Sequence, residues 1–188
     1  MARDLNVETV GPFRALYNVL TPEECDHLYK CIRHEEIDEQ GKELAQRITA
    51  AAKVYNDEVL KFNIDFSSPS INLWDAYEGE SRITLSPDHG VHAGNILTPV
   101  VTKITAVINI SSRDDVQGGE LTFKNWAPPA RVDNFGAVIA ESADVQPTWT
   151  NEQGTIIFYP SMEQMGYQLV TSGPLKRLKM NFKGENFK

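Results

Sequence analysis

The chain has 188 residues, of which 41% are hydrophobic and 23% charged, with a formal net charge of -8. That is enough apolar material for one domain with its own core, spanning residues 1–188. The acidic balance argues against nucleic acid as a partner, because phosphate binding draws on a basic patch and the basic cluster here is only Lys176, Arg177 and Lys179. No apolar run approaches the ~18 residues needed to span a bilayer. The opening residues, MARDLNVETVG, hold no apolar signal-peptide core, so a cytoplasmic protein with no membrane partner is expected.

In chain order, Phe13, Ala15, Tyr17 and Val19 alternate with mostly polar or smaller residues, the period of a strand. Thr21-Pro22-Glu23-Glu24 then predicts a helix start, with Thr21 as N-cap, Pro22 at the first helical position and Glu24 closing a capping box. Cys25, Leu28, Tyr29 and Ile32 follow at the spacing of a buried helical stripe. The two cysteines, Cys25 and Cys31, lie too awkwardly on this one helix for a disulfide, and no zinc motif is built from the pair. His27 and His34 read as structural or exposed positions of the same helix. Gly41 is expected to break the chain. A second helix is predicted from Lys42 to Leu60, with Leu44, Ile48, Ala52, Tyr55 and Val59 on one face.

Beyond Phe62 the helical period disappears. Short runs of strand character, separated by Gly, Pro, Asn and Asp, cover 70–77, 103–110, 120–123, 136–140, 155–159 and 175–182. Ile104, Ala106, Ile108 and Ile110 share one face of their strand, as do Leu178, Met180 and Phe182 of theirs. The segment 125–151, with Pro128, Pro129 and Pro147, reads as an elaborated loop or an extra hairpin. A helical part (about residues 20–61) followed by a β part (about residues 70–183) predicts an α+β fold, with strands in a sandwich or barrel and the helices covering one sheet.

Three stretches carry a family resemblance. Ile104–Ile110, an acidic turn and Gly118-Gly119-Glu120-Leu121-Thr122-Phe123 form the first. Gly154-Thr-Ile-Ile-Phe-Tyr-Pro160-Ser161 is the second, and Val170-Thr171-Ser172-Gly173 with the basic strand 176–182 is the third. In this order and spacing they resemble the iron- and 2-oxoglutarate-dependent dioxygenases of the prolyl-4-hydroxylase branch. The resemblance implies a double-stranded β-helix, or jelly roll, with two N-terminal helices packed on one sheet.

The family's chemistry rests on two histidines and a carboxylate that hold Fe(II) on one face. The distal histidine of the pattern falls on Met165, and no histidine follows His92 anywhere in the chain. The proximal H-x-D falls either on Ser86-Pro87-Asp88, which keeps the aspartate, or on His92-Ala93-Gly94, which keeps the histidine. Ser86, Asp88 and Met165 are then vestigial positions, and no metal or cofactor is expected. An alternative metal site would use Asp88, His89 and His92, although two surface histidines in a polar loop account for the same residues. The family's 2-oxoglutarate anchor falls on Leu175, followed at once by Lys176 and Arg177. Either of these is a candidate anchor for 2-oxoglutarate or another anion, and the sequence leaves open which one faces the barrel.

Trp74, Trp126 and Trp149 are candidates for a binding platform or, more simply, core and loop anchors; Met162 and Met165 read as core fillers. The function expected is a non-catalytic dioxygenase-fold module that binds or assembles with protein partners. Because compact relatives of this type resemble oxygenases encoded by tailed phages, a virion-associated decoration, neck or tail protein in a multi-copy assembly is one expectation. An active Fe(II)/2-oxoglutarate-dependent hydroxylase with an atypical metal site is the alternative.

Overall fold

A computed structural model describes residues 6–82, 100–124, 131–132, 138–139, 148–149, 151–161 and 163–185. The chain opens with an antiparallel pair, β1 (Asn6–Val10) and β2 (Phe13–Tyr17). Helix α1 (Pro22–Arg33) starts as expected. Thr21 Oγ1 accepts the Glu24 N–H (3.1 Å) and Glu24 Oε2 accepts the Thr21 N–H (2.8 Å), so two otherwise unpaired donors are satisfied reciprocally.

Helix α2 (Glu39–Tyr55) begins earlier than its apolar spacing suggests, because Asp38 caps it by accepting the Gly41 N–H at 2.8 Å. Gly41 therefore lies inside the first turn and breaks nothing. At the other end the helix widens into a π-helical turn, Asn56–Leu60, closed by Lys61 in the left-handed region (φ 56°). Asn56 seals this exit: its side chain donates to Phe62 O and accepts from Phe62 N, both at 3.0 Å.

The remaining strands are β3 (Asp65–Leu73), β4 (Val100–Asn109), β5 (Gln117–Gly118), β6 (Leu121–Lys124), β7 (Arg131–Val132), β8 (Val138–Ile139), β9 (Thr148–Trp149), β10 (Ile156–Pro160), β11 (Gln164–Tyr167), β12 (Val170–Ser172) and β13 (Arg177–Glu185). The major sheet has the order β1-β2-β10-β4-β13-β3 and every neighbouring pair is antiparallel. Facing it are β11-β6-β9 and the pair β12-β5, with β7-β8 as a separate hairpin. The third strand spans 65–73 rather than 70–77; it tolerates Pro69 because it is the edge of the sheet, where a missing N–H breaks no ladder.

Two layers of core flank the major sheet. On one side Ile104, Ala106, Ile108, Ile156, Phe158, Leu178, Met180 and Phe182 pack against Cys25, Leu28, Leu44, Ile48, Ala52 and Tyr55 from the helices. Full burial of each large side chain here stabilises by roughly 1.5–3 kcal/mol. On the other side Phe13, Ala15, Val107, Ile157 and Tyr159 meet Leu121, Phe123, Met165, Tyr167 and Val170 from the smaller sheets. This is the jelly roll with two helices on one sheet. Among the described residues, no helix is long and apolar enough to cross a membrane.

Candidate functional site

The barrel interior is where alternate residues of the central strands converge. Arg177 pairs with Asn109, Lys179 with Val107 and Asn181 with Thr105 across β13 and β4. Since neighbours along a strand point to opposite faces, these residues turn away from the helices while Leu178, Met180 and Phe182 turn toward them. The parity of the basic cluster is thus decided. Arg177 is 1% exposed and enters the barrel. Lys176 does not: its ammonium stands 5.5 Å from the centre of the Tyr29 ring of α1.

Arg177 is built into a polar cage. Its Nε donates to Asn109 Oδ1 at 3.1 Å, and its Nη2 donates to Gly119 O and to Asn151 Oδ1. Asn151 is itself oriented by donating Nδ2 to Gly118 O at 2.6 Å. The guanidinium carbon lies 5.3 Å from the centre of the Trp74 ring and 5.9 Å from that of Tyr167, within cation–π range. Trp74 and Tyr167 meet edge to face at 5.6 Å. Among the described residues no carboxylate pairs with Arg177, and its Nη1 makes no hydrogen bond. Burial pushes its pKa down to about 9, with Tyr167 and Glu120 acting in the opposite sense, so the cation is still charged at pH 7.

The glycine pair of the GGEL stretch makes this cage possible. Gly118 and Gly119 both adopt positive φ, at 79° and 74°. A Cβ on Gly118 would stand 2.0 Å from Leu169 O, and one on Gly119 would stand 2.5 Å from the Leu175 side chain. Only glycine lets the turn approach β12 closely enough to aim Gly119 O at Arg177.

The positions that the resemblance assigns to iron ligands divide between described and undescribed residues. Met165 lies in β11, paired with Phe123 of β6, and is 5% exposed within the interior cluster. Ser86, Asp88, His89 and His92 lie outside the described residues, as do Trp126 and Met162. Trp149 is placed on β9, which pairs with β6. The distal position does not fit Fe(II): it offers a thioether among aromatic side chains, and nothing later in the chain offers an imidazole. Arg177, one of the two candidate anion anchors, is different in kind: it is a buried cation whose Nη1 has no hydrogen-bond partner among the described residues.

Sequence reading passed over Asn109, Asn151 and the Gly119 carbonyl. Asn109 left a trace, as a polar residue ending an otherwise apolar strand on its inward parity. Asn151 left none, because it reaches Arg177 from a loop. A second buried polar group lies further along the same face, where Thr105 Oγ1 is 3.0 Å from both Ser161 Oγ and Asn181 Oδ1.

No protein-family model and no curated protein matches the sequence. Solved structures do. A Pseudomonas putida prolyl-4-hydroxylase aligns with a TM-score of 0.64 at 10% identity over 94% of this chain and 90% of its own. The viral collagen prolyl hydroxylase of Paramecium bursaria Chlorella virus-1, in complex with 2-oxoglutarate, aligns with a TM-score of 0.58 at 10% identity over 94% and 97%. A Trichoplax adhaerens prolyl hydroxylase, in complex with a peptide fragment of the hypoxia-inducible factor oxygen degradation domain, gives 0.57 at 9% identity over 92% and 84%. The chain has the fold of the prolyl-4-hydroxylase-like 2-oxoglutarate/Fe(II) oxygenases.

Proposed function

We propose that this chain is a non-catalytic form of the dioxygenase fold that serves in binding or assembly. The observation that carries the reading is the distal position, where Met165 packs beside Phe123 in the interior core in place of an imidazole. The cage around Arg177 supports it, since three of the five guanidinium N–H groups are already spent on Asn109, Gly119 and Asn151. Strand pattern, turn glycines and caps are intact, so the residues that specify folding persist while a residue needed only for iron is replaced. Within this proposal the protein works through protein partners, as a virion-associated component repeated in a viral assembly. The likeness to the hydroxylases aligned above is one of fold.

One observation favours the alternative of a 2-oxoglutarate-dependent hydroxylase, namely the uncommitted Nη1 of Arg177 inside the barrel. One of the aligned proteins is a 2-oxoglutarate complex. In that reading Arg177 would hold a carboxylate of 2-oxoglutarate through Nη1, and the metal would come from Asp88, His89 and His92. Anaerobic titration with Fe(II) and 2-oxoglutarate separates the two. A non-catalytic module gives no visible charge-transfer band and retains no stoichiometric iron; a stoichiometric band overturns the proposal. Ser86→His combined with Met165→His should create Fe(II) binding if the Ser86-Pro87-Asp88 register holds, and no gain in affinity rejects that register.

A further inference from the structure

On the helical layer, across the major sheet from the barrel, three side chains of metal-ligating type converge. His27 and Cys31 are one turn apart on α1, so they share a face. Asp38 reaches the same point from the start of α2. His27 Nε2 is 2.9 Å from Asp38 Oδ1 and 3.6 Å from Cys31 Sγ, and Cys31 Sγ is 3.8 Å from Asp38 Oδ1.

These separations match a coordination polyhedron. Zinc bonds of about 2.0 Å to nitrogen and oxygen and about 2.3 Å to sulfur place tetrahedral ligand atoms roughly 3.3–3.5 Å apart. Each observed separation lies within about 0.4 Å of that range, so small side-chain rotations would complete the site.

The surroundings favour the same use. The Gly41 N–H donates to the same Asp38 Oδ1 at 2.8 Å and so holds the carboxylate in place. A Cβ at Gly41 would stand 3.1 Å from Cys31 Sγ and 3.3 Å from Asp38 Oδ1, so glycine keeps the space between the ligands clear. The site is reachable: the His27 and Asp38 side chains are 30% and 57% exposed, while Cys31 is buried.

We propose that His27, Cys31 and Asp38 bind one zinc ion at the elbow between α1 and α2, with a fourth coordination position open to solvent or to a partner's donor. The ion would replace the direct His27–Asp38 contact and clamp the two helices across residues 34–37. Binding requires the thiolate of Cys31, whose proton is released to solvent as the metal–sulfur bond forms. The proposal does not depend on whether the barrel is catalytic.

The test is a Co(II) and Zn(II) titration of the full chain. One Co(II) per chain should bind with a near-ultraviolet thiolate-to-metal charge-transfer band and be displaced by Zn(II). Zinc at a hundredfold excess over its Kd should raise Tm by about 5–10 °C. The band should vanish in Cys31→Ser and in His27→Gln, two substitutions of similar size that report independently should one of them disturb folding. Asp38→Asn keeps the helix cap but removes the charged ligand, and should weaken binding at least tenfold. The remaining thiol, Cys25, cannot substitute, since it is fully buried and its pKa is pushed up to about 12 by burial. Absence of a charge-transfer band in the wild type, or a band that survives Cys31→Ser or His27→Gln, overturns the proposal.

Discussion

The two faces of the major sheet are made from the same strands yet follow different rules. Toward the helices, β4, β10 and β13 present Ile104, Ala106, Ile108, Ile156, Phe158, Leu178, Met180 and Phe182, and Tyr55 stacks on Phe158 with ring centres 5.5 Å apart. Toward the barrel, the alternate residues include Thr105, Asn109, Arg177 and Asn181, each tied to a specific partner. The outer face can be filled by any apolar set of the right volume, because packing is non-directional. The inner face cannot, because a buried cation without its acceptors is far costlier than a cavity. The inner face of the sheet therefore carries the directional polar contacts, and the outer face contributes apolar packing.

That contrast can be broken by paired substitutions. On the outer face Phe158→Ala should cost about 3–5 kcal/mol by chemical denaturation, the largest effect expected, because a fully buried ring leaves a cavity against Tyr55. On the inner face Arg177→Met should cost about 3 kcal/mol, because it strands Asn109, Asn151 and Gly119 O together. A double-mutant cycle of Arg177→Met with Asn151→Ala should recover part of that loss, since both members of one pair are then gone. If Arg177→Met were neutral, the cage would be a ligand site and not a structural one, and anions should then raise the Tm of the wild type alone.

Smaller effects test the rims of the two layers. Thr21→Ala removes one half of the capping box and should cost about 1 kcal/mol, read as a lower denaturation midpoint at unchanged slope. Glu163 follows β10, and burial raises its pKa. A carboxyl that protonates more readily when folded makes the protein more stable as pH falls through the raised value and less stable as it ionises. Glu163→Gln should thus raise Tm at pH 7 by no more than about 1–2 °C, given its partial exposure, and the gain should shrink as pH is lowered. A gain that grows toward low pH would contradict the direction of the shift.

By itself the sequence determined the helical layer and the outer face. The capping box at Thr21, the stripe of α1 and the alternation of β4 and β13 are local patterns, and each appears in the structure. The motif order 104–110, 118–123, 154–161 and 170–182 also announced a fold that 10% identity to the aligned structures leaves invisible to whole-chain sequence matching. Other features were decided only by tertiary structure. Alternation says that Lys176 and Arg177 point oppositely, but only the helices packed on the other face determine that Arg177 is the inward one. Gly41 has the local character of a breaker, and only Asp38, which accepts its N–H, places it inside the first turn of α2. The cysteine pair offered no metal motif, because Cys31 finds its partners one turn back on α1 and across the elbow on α2. A strand or helix repeats its own geometry and so writes its period into the sequence. A site formed where separate elements meet has no period, and its residues become neighbours only when the layers pack.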